Sequence, residues 1–158
     1  MKKVLLVIAL TVLMAAPSFA KTKEIQFKLV LSAEEAKSAA NKKYKVQIRE
    51  DQEPQNVHVG KEALLTNTDI ASIVIRPDAD KLTRKYPVLD IIFTPEGSEK
   101  LKDVTTKYLQ KRIAILIDGE VLGTPYMVYP LTKGHLLLSS WKINTPEAAE
   151  KLIKDLGF

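Results

Sequence analysis

The sequence is poor in the residues that build redox and metal chemistry. Its 158 residues include no cysteine, one tryptophan and two histidines. The absence of cysteine excludes disulfides, thiol catalysis and cysteine-ligated zinc. His58 and His135 lie too far apart in the sequence to form the short-spaced pair typical of a zinc site. We therefore expect no metal and no other cofactor, and a fold that is stabilised by burial alone.

Charge and short motifs exclude further classes of function. The 24 basic side chains exceed the 19 acidic ones only mildly, for a formal net charge of +5. No basic stripe with interleaved aromatic residues occurs, so we expect no nucleic-acid partner. The sequence also lacks the G-x-S-x-G, H-E-x-x-H and phosphate-loop motifs of common enzymes.

The first twenty residues have the pattern of a secretory signal peptide. Lys2 and Lys3 precede an apolar run from Val4 to Ala16, and small residues then form a cleavage site ending at Ala20. This run is shorter than the roughly 20 residues that a membrane-spanning helix needs. We predict a cleavable signal peptide over 1–20 and a periplasmic or secreted chain without a transmembrane segment. An uncleaved N-terminal anchor is the alternative.

The remaining residues fit one domain of the commonest size. We expect residues 21–56 to supply N-terminal strands and a loop to the same domain as an α+β core over 57–158. Alternating apolar residues and short apolar runs predict eight strands. Residues 126–129 are predicted to form one further extended piece. The predicted strands cover residues 25–31, 44–48, 57–60, 72–76, 88–93, 113–117, 120–122 and 135–141.

Two Thr-Pro-Glu sequences predict the starts of the two main helices. Threonine is a favourable N-cap, proline fits the first helical position, and the acid lies near the positive helix end. The first helix is predicted over 95–110, with Gly97 as a weak point in its first turn. Its predicted core face consists of Leu101, Val104, Thr105, Tyr108 and Leu109. A shorter helical stretch is expected between Ser32 and Ala40.

Turn residues complete the predicted architecture. Asp118-Gly119 suits a type I′ hairpin between two strands. Thr66 to Asp69 predicts a turn that caps a helical turn beginning near Ile70. The elements together favour an α+β fold in which one mainly antiparallel sheet is covered by two amphipathic helices.

These segments resemble a known family in their order and spacing. The segments are Leu65 to Ile70, Phe93 to Gly97, Lys111 to Ile115, Asp118-Gly119 and Pro125. Together they are similar to the head subdomain of the first periplasmic domain of SecD/SecDF protein-export membrane proteins, over roughly residues 57–156. The resemblance implies a SecD-head-like fold and a tendency to contact extended polypeptides. It also implies structural roles for Thr66, Asn67, Asp69, Thr94, Pro95, Glu96, Gly97, Asp118, Gly119 and Pro125.

The sequence departs from the family at two motifs. Gly123-Thr124-Pro125 stands where family members usually have a small-Ala-Pro triplet, and Lys133-Gly134 replaces a Gly-Gly pair. The transmembrane bundle that couples proton flow to translocation in the family is not in this sequence. We therefore do not expect proton-driven export by this chain alone.

Few side chains are candidates for a functional site. We expect no catalytic residue, and Tyr126, Tyr129 and Trp141 are the candidates for binding a partner, because aromatic residues with polar tips are common anchors. If the chain were a small secreted hydrolase, Asp90 or His135 would be the candidate members of its catalytic site. Ser139 is about 13 Å from His135 along a strand, too far to act with it.

Our interpretation is a non-enzymatic, exported protein-binding module of the bacterial cell envelope. Such a module would be accessory to protein export or to the handling of extended polypeptides. Its partner would be a protein or an extended polypeptide that pairs with an exposed sheet edge. The hydrolase and a structural or ligand-binding envelope protein remain open alternatives, and the sequence indicates no particular oligomeric state.

Overall fold

The structure, a computed structural model, describes residues 22–47, 49–76 and 85–158. The predicted signal peptide lies outside these residues, as do Ile48 and residues 77–84. Nine strands, three helices and one 3-10 turn form the described chain. The strands are β1 (Ile25–Leu31), β2 (Asn41–Val46), β3 (Gln55–Gly60), β4 (Leu65–Thr66), β5 (Ile70–Ile75), β6 (Val88–Phe93), β7 (Ile113–Ile117), β8 (Glu120–Gly123) and β9 (His135–Ser139). The helices are α1 (Glu35–Ser38), α2 (Pro95–Lys107) and α3 (Pro146–Asp155).

The α+β fold class with antiparallel pairing is confirmed, but the strands form two sheets where one was expected. The large sheet has the order β2-β3-β1-β7-β8, with β4 also pairing with β1. The small sheet has the order β5-β6-β9. Because β5 and β6 pair with each other and β7 pairs with β1, the segment through α2 connects two different sheets.

The main core joins both sheets and both long helices. From the large sheet it takes Phe27 and Ile115, and from the small sheet Ile91. Leu101 of α2 and Ala149 of α3 cover these side chains and are almost fully buried. The two helices therefore bury their apolar faces against the sheets, as their sequence periodicity predicts.

A second apolar cluster occupies the opposite face of the large sheet. Side chains alternate along a strand, so Ala114 and Leu116 face away from the main core that Ile115 enters. Val46 of β2 and Val121 of β8 close this second cluster from the two ends of the strand order. Contacts between β2 and β8 show that the large sheet curls around it. Strand β7 is therefore covered on both faces.

Several predicted boundaries are wrong for identifiable reasons. The helical turn expected from Ile70 is a 3-10 turn over Asn67–Asp69, and Ile70 already begins β5. Helix α2 ends at Lys107 because Gln110 has a positive φ of 60° and its amide donates to Met127 O. The predicted core residue Leu109 is therefore exposed.

Three strand predictions also need correction. β2 begins at Asn41, three residues before its predicted start. β9 ends at Ser139, so Trp141 lies in a turn. Of the extended piece at 126–129, only Tyr126 pairs, through a single bridge with Arg112.

Candidate binding site

The three candidate aromatic residues do not form one site. Tyr126 and Tyr129 are 49% and 68% exposed and lie in the segment between β8 and β9. Trp141 is half-buried, and its Nε1 donates to Gln47 O at 3.0 Å. The two tyrosines line one groove, whereas Trp141 borders different concavities. The tyrosines are thus available to a partner, and the indole is engaged in a contact within the fold.

The groove that holds the tyrosines has a volume of about 820 Å³. We call it the β9 groove, because it lies between the segment 125–133 and the first residues of β9. Its exposed apolar side chains are those of Tyr126, Val128, Tyr129 and Leu137. Exposed apolar side chains that cluster in one concavity are typical of an interaction surface.

β9 presents unpaired backbone groups beside this groove. Phe93 N donates to Gly134 O at 2.9 Å, so these two residues form a hydrogen-bonded pair. This pair determines which of the following pairs in the β6–β9 ladder are hydrogen-bonded. In an antiparallel ladder the alternate residues direct their N–H and C=O groups away from the partner strand. In β9 these residues are His135, Leu137 and Ser139. Their backbone groups make no hydrogen bond with any other described residue.

The other sheet edges are protected in different ways. At the β8 edge, Leu122 O accepts from Ser140 Oγ and Val121 O accepts from Lys142 Nζ, both at 2.9 Å. The β5 edge strand packs against α3. Exposed lysines lie along β2, and such charges discourage edge-to-edge pairing. Within the described chain, the β9 edge shows none of these protections.

Asp90 forms a charged cluster on the outer face of the small sheet. Asp90 is only 4% exposed although it lies on the solvent side of β6, between Val74 and Leu137. Arg76 Nε contacts Asp90 Oδ2 at 3.2 Å and His135 Nδ1 contacts Asp90 Oδ1 at 3.1 Å. If Asp90 is ionised, Nδ1 of His135 carries the proton that it donates.

This cluster brings together the two residues that a hydrolase would use, but among the described residues no serine of the small sheet lies beside it. Ser72 is separated from His135 by β6, so their backbones are about 10 Å apart. Both oxygens of Asp90 are also engaged by basic side chains. Within the described residues, no group of three His, Asp or Glu side chains could hold a metal ion. The contacts observed for Asp90 are therefore those of an acid paired with two basic side chains.

The family-motif residues of the 3-10 turn and of the α2 start meet at one junction. Asn67 Oδ1 accepts from Ile25 N at 2.6 Å, and its Nδ2 reaches Leu156 O at 3.4 Å, so it links β1 with the end of α3. Asp69 accepts from Thr66 N at 2.9 Å and from Lys100 Nζ at 2.7 Å. These contacts connect both sheets and both long helices.

Thr94 and Gly97 complete this junction. Thr94 N donates to Asp69 O at 2.9 Å, and Thr94 Oγ1 accepts from Gly97 N at 2.9 Å as the helix cap. A Cβ atom on Gly97 would lie 2.0 Å from Asp69 O. Packing therefore requires glycine at position 97, because only glycine permits the close approach of α2 to this turn.

The predicted hairpin also anchors the N-terminal strand. Asp118 and Gly119 have φ values of 47° and 79°, as a type I′ turn requires. Asp118 Oδ1 accepts from Glu24 N at 2.8 Å, and Asp118 N donates to Glu24 O at 2.9 Å. Pro125 O accepts from Ile113 N at 3.0 Å and so extends the pairing beyond β8.

A second concavity of about 690 Å³ lies between the β7–β8 hairpin and α3. Most of its charged side chains form ion pairs with one another: Lys142 pairs with Glu120, and both Lys23 and Lys151 pair with Asp155. The hydrogen bonds from these two lysines lower the pKa of Asp155. The β9 groove, with its exposed aromatic side chains and the free backbone groups of β9, is therefore the better candidate for binding a partner. None of the described helices is long and apolar enough to cross a membrane.

Sequence relatives of the chain are subunits of protein translocases. It is 34% identical over 87 residues to the SecDF subunit of Thermus thermophilus, covering 55% of this chain and 11% of that protein. It is 35% identical over 71 residues to SecD of Thermobaculum terrenum, covering 45% and 13%. With SecD of Acidaminococcus fermentans the identity is 29% over 99 residues, covering 58% and 24%. The matches thus span a quarter or less of each relative.

Solved structures share the fold. A structure of a SecDF membrane component described as enhancing protein export has a TM-score of 0.61 at 20% identity, covering 87% of this chain and 63% of that one. SecDF in a super-membrane-facing form gives 0.61 at 23% identity, covering 87% and 19%.

The family model for the SecDF P1 head subdomain matches residues 37–153. The match begins about twenty residues before the range over which the sequence motifs indicate the resemblance, and it includes β2 and β3. Because it covers more than half of the chain, the protein belongs to the SecDF P1 head subdomain family.

Proposed function

We propose that this protein is a non-enzymatic binding module that holds extended polypeptides in the bacterial cell envelope, as an accessory to protein export. The observation that carries the proposal is the unpaired β9 edge beside the β9 groove. His135, Leu137 and Ser139 direct backbone donors and acceptors outward at every second residue. An extended segment presents its own backbone groups with the same period and can add a strand there.

The side chains around the edge suit this mode of binding. Main-chain hydrogen bonds are independent of sequence, so they provide affinity for many polypeptides, and side-chain pockets add selectivity. Tyr126 and Tyr129 provide large contact areas in the groove and carry hydroxyl groups that remain hydrated. A folded partner would offer such a segment only at its own sheet edge, so an unfolded or partly folded chain is the favoured ligand.

The family and the N-terminal sequence support the cellular setting. The relatives are translocase subunits, and the apolar run from Val4 to Ala16 has the pattern of a secretory signal peptide. We infer that the protein is periplasmic or secreted, where it meets chains that emerge from a translocase before they fold.

A pair of substitutions at Leu137 tests the proposal. The N–H of Leu137 points away from β6, so Leu137→Pro removes one donor from the free edge without removing a bond from the ladder. Leu137→Ala keeps that N–H and shortens the same side chain. We expect Leu137→Pro to weaken binding of an extended model peptide more than Leu137→Ala does, as measured by isothermal titration calorimetry. Equal binding by the wild type and Leu137→Pro would contradict the proposal.

A hydrolytic function is less well supported. Asp90 and His135 are in contact, but Ser72 and Ser139 lie too far from the imidazole to serve as its nucleophile. We expect the wild type to show no hydrolytic activity, so His135→Ala should not change the hydrolysis of any substrate. Turnover of peptide or ester substrates by the wild type that disappears in this variant would reverse the assignment.

A further inference from the structure

The charged side chains that line the β9 groove are all basic or ionisable to a cation. They are Arg76, Lys133 and His135, and no carboxylate is among the described lining residues. The neighbouring Asp90 is buried, and its two oxygens are occupied by Arg76 and His135. The groove therefore presents an apolar floor with a cationic rim.

Lys133 is the most available of these cations. No ion pair of the described chain involves it. Among the described residues, eight other lysines, which include Lys100 and Lys111, pair their ammonium groups with carboxylates of this chain. Lys133 directly precedes Gly134 and β9, so its side chain begins at the entry of the free edge.

Two arginines extend the same positive surface. Arg76 uses Nε for Asp90, and a guanidinium has further N–H donors for a second acceptor. The Arg112 guanidinium lies over the Tyr126 ring, with Cζ 5.8 Å from the ring centroid, and donates to Thr124 O at 3.0 Å. The aromatic floor of the groove is thereby held beside a fixed positive charge.

We propose that the segment bound in the β9 groove carries carboxylates among its apolar residues. This inference rests on the proposed function, because it specifies which extended polypeptides the groove prefers. In an added strand, successive side chains point to opposite faces, so an alternating segment can place apolar residues toward Tyr126 and Tyr129. Carboxylates of the segment that come within reach of Lys133 at the entry of the edge are favoured by charge complementarity, and lysines there are disfavoured.

Three peptides of one design test this preference. Each has about ten residues, within the usual length of a strand, and alternates valine with glutamate, glutamine or lysine. We expect the glutamate peptide to bind roughly three- to tenfold more tightly than the glutamine peptide, and the lysine peptide to bind most weakly. The preference should shrink when salt rises from about 0.1 M to about 1 M, since screening then shortens from about 10 Å to about 3 Å.

Charge reversal at Lys133 provides the matched comparison. The Lys133→Glu variant should lose the preference for the glutamate peptide. The Lys154→Glu variant, with the same change at an exposed residue of α3, should keep it. Equal affinities for all three peptides, or a preference that Lys133→Glu does not alter, would overturn the inference. Occupation of the edge by a second copy of the chain, detected by analytical ultracentrifugation, would also overturn it.

The outcomes separate this inference from the function on which it rests. If all three peptides bind equally and Leu137→Pro weakens each of them, the edge holds polypeptides and the charge preference is wrong. If no peptide binds, both proposals fail. If the glutamate peptide is preferred and the preference depends on Lys133, both are supported.

Discussion

Thr105 of α2 holds Leu131 in the wall of the β9 groove. Thr105 Oγ1 accepts from Leu131 N at 2.9 Å and donates to Leu101 O at 2.7 Å, and the threonine is fully buried. One hydroxyl thus joins a core helix to the segment that carries Tyr126 and Tyr129. The groove wall is part of the folded framework at this point, although most of its aromatic surface is exposed.

Replacing Thr105 by valine should destabilise the protein and loosen this wall. The substitution retains the shape of the side chain but leaves Leu131 N without its acceptor, at a cost of about 1–3 kcal/mol. Urea denaturation measures the loss, and hydrogen exchange at the Leu131 amide should accelerate. Thr106→Val is the matched control, because Thr106 is exposed and its hydroxyl donates only to Lys102 O. Equal effects of the two substitutions would refute a specific role for Thr105.

Gly97→Ala should be more damaging than its small size suggests. The new Cβ would lie 2.0 Å from Asp69 O, so α2 or the 3-10 turn must move. We expect a loss of about 1–3 kcal/mol in the free energy of unfolding. At Gly60 the corresponding Cβ meets Leu29 O at 3.6 Å, an ordinary contact, so Gly60→Ala should be nearly neutral. A neutral Gly97→Ala in thermal or urea unfolding would be incompatible with the close packing of this junction.

Acid stability should depend on Glu35. The hydrogen bond from Lys111, followed by those from Ser32, lowers the pKa of Glu35 from 4.5 to about 2. Between these values the unfolded chain binds a proton that the folded protein does not, so this carboxylate stabilises the fold less as pH falls. Glu35→Gln should therefore lose less stability between pH 4.5 and pH 2 than the wild type does.

Chemical denaturation across this pH range provides the measurement for Glu35. Glu34→Gln removes a neighbouring, more exposed carboxylate that pairs with Lys37, and it controls for the change in net charge. An unchanged pH dependence in Glu35→Gln would show that the ion pair with Lys111 does not persist in solution.

Tyr126 and Tyr129 should contribute to peptide affinity with little effect on stability. Both rings are largely exposed, so truncation to alanine removes contact area from the groove more than from the core. If either is an anchor, its loss costs more than about 1 kcal/mol, or roughly fivefold in affinity. Trp141→Phe should leave affinity unchanged, because the indole borders other surfaces. If calorimetry showed unchanged affinity in the two tyrosine variants and weaker binding by Trp141→Phe, the binding site would lie away from β9.

Local chemistry in the sequence was sufficient to predict much of the fold. Thr94-Pro95 and Thr145-Pro146 begin helices where the sequence indicates, because cap and proline preferences act within one turn. Asp118-Gly119 forms the predicted hairpin for the same reason. The end of α2 could not be predicted this way, since the bond from Gln110 N to Met127 O that accompanies it spans distant residues.

The binding site was less accessible to sequence reasoning. Tyr126 and Tyr129 could be proposed from residue type, but the sequence does not show that Trp141 lies elsewhere. The contacts of Asp90 with Arg76 and His135 depend on the register of three strands in a second sheet. That β9 has the open edge also follows from which strands pair, and nothing local in the sequence of β9 specifies this.

Residue-specific hydrogen exchange tests the central claim most directly. The amides of His135, Leu137 and Ser139 point away from β6, and those of Leu136 and Leu138 point toward it. Adding the glutamate peptide should slow exchange of the first three amides, and N-methylation of the peptide backbone should abolish this protection. Peptide binding that leaves these three amides unprotected would contradict strand addition at the β9 edge.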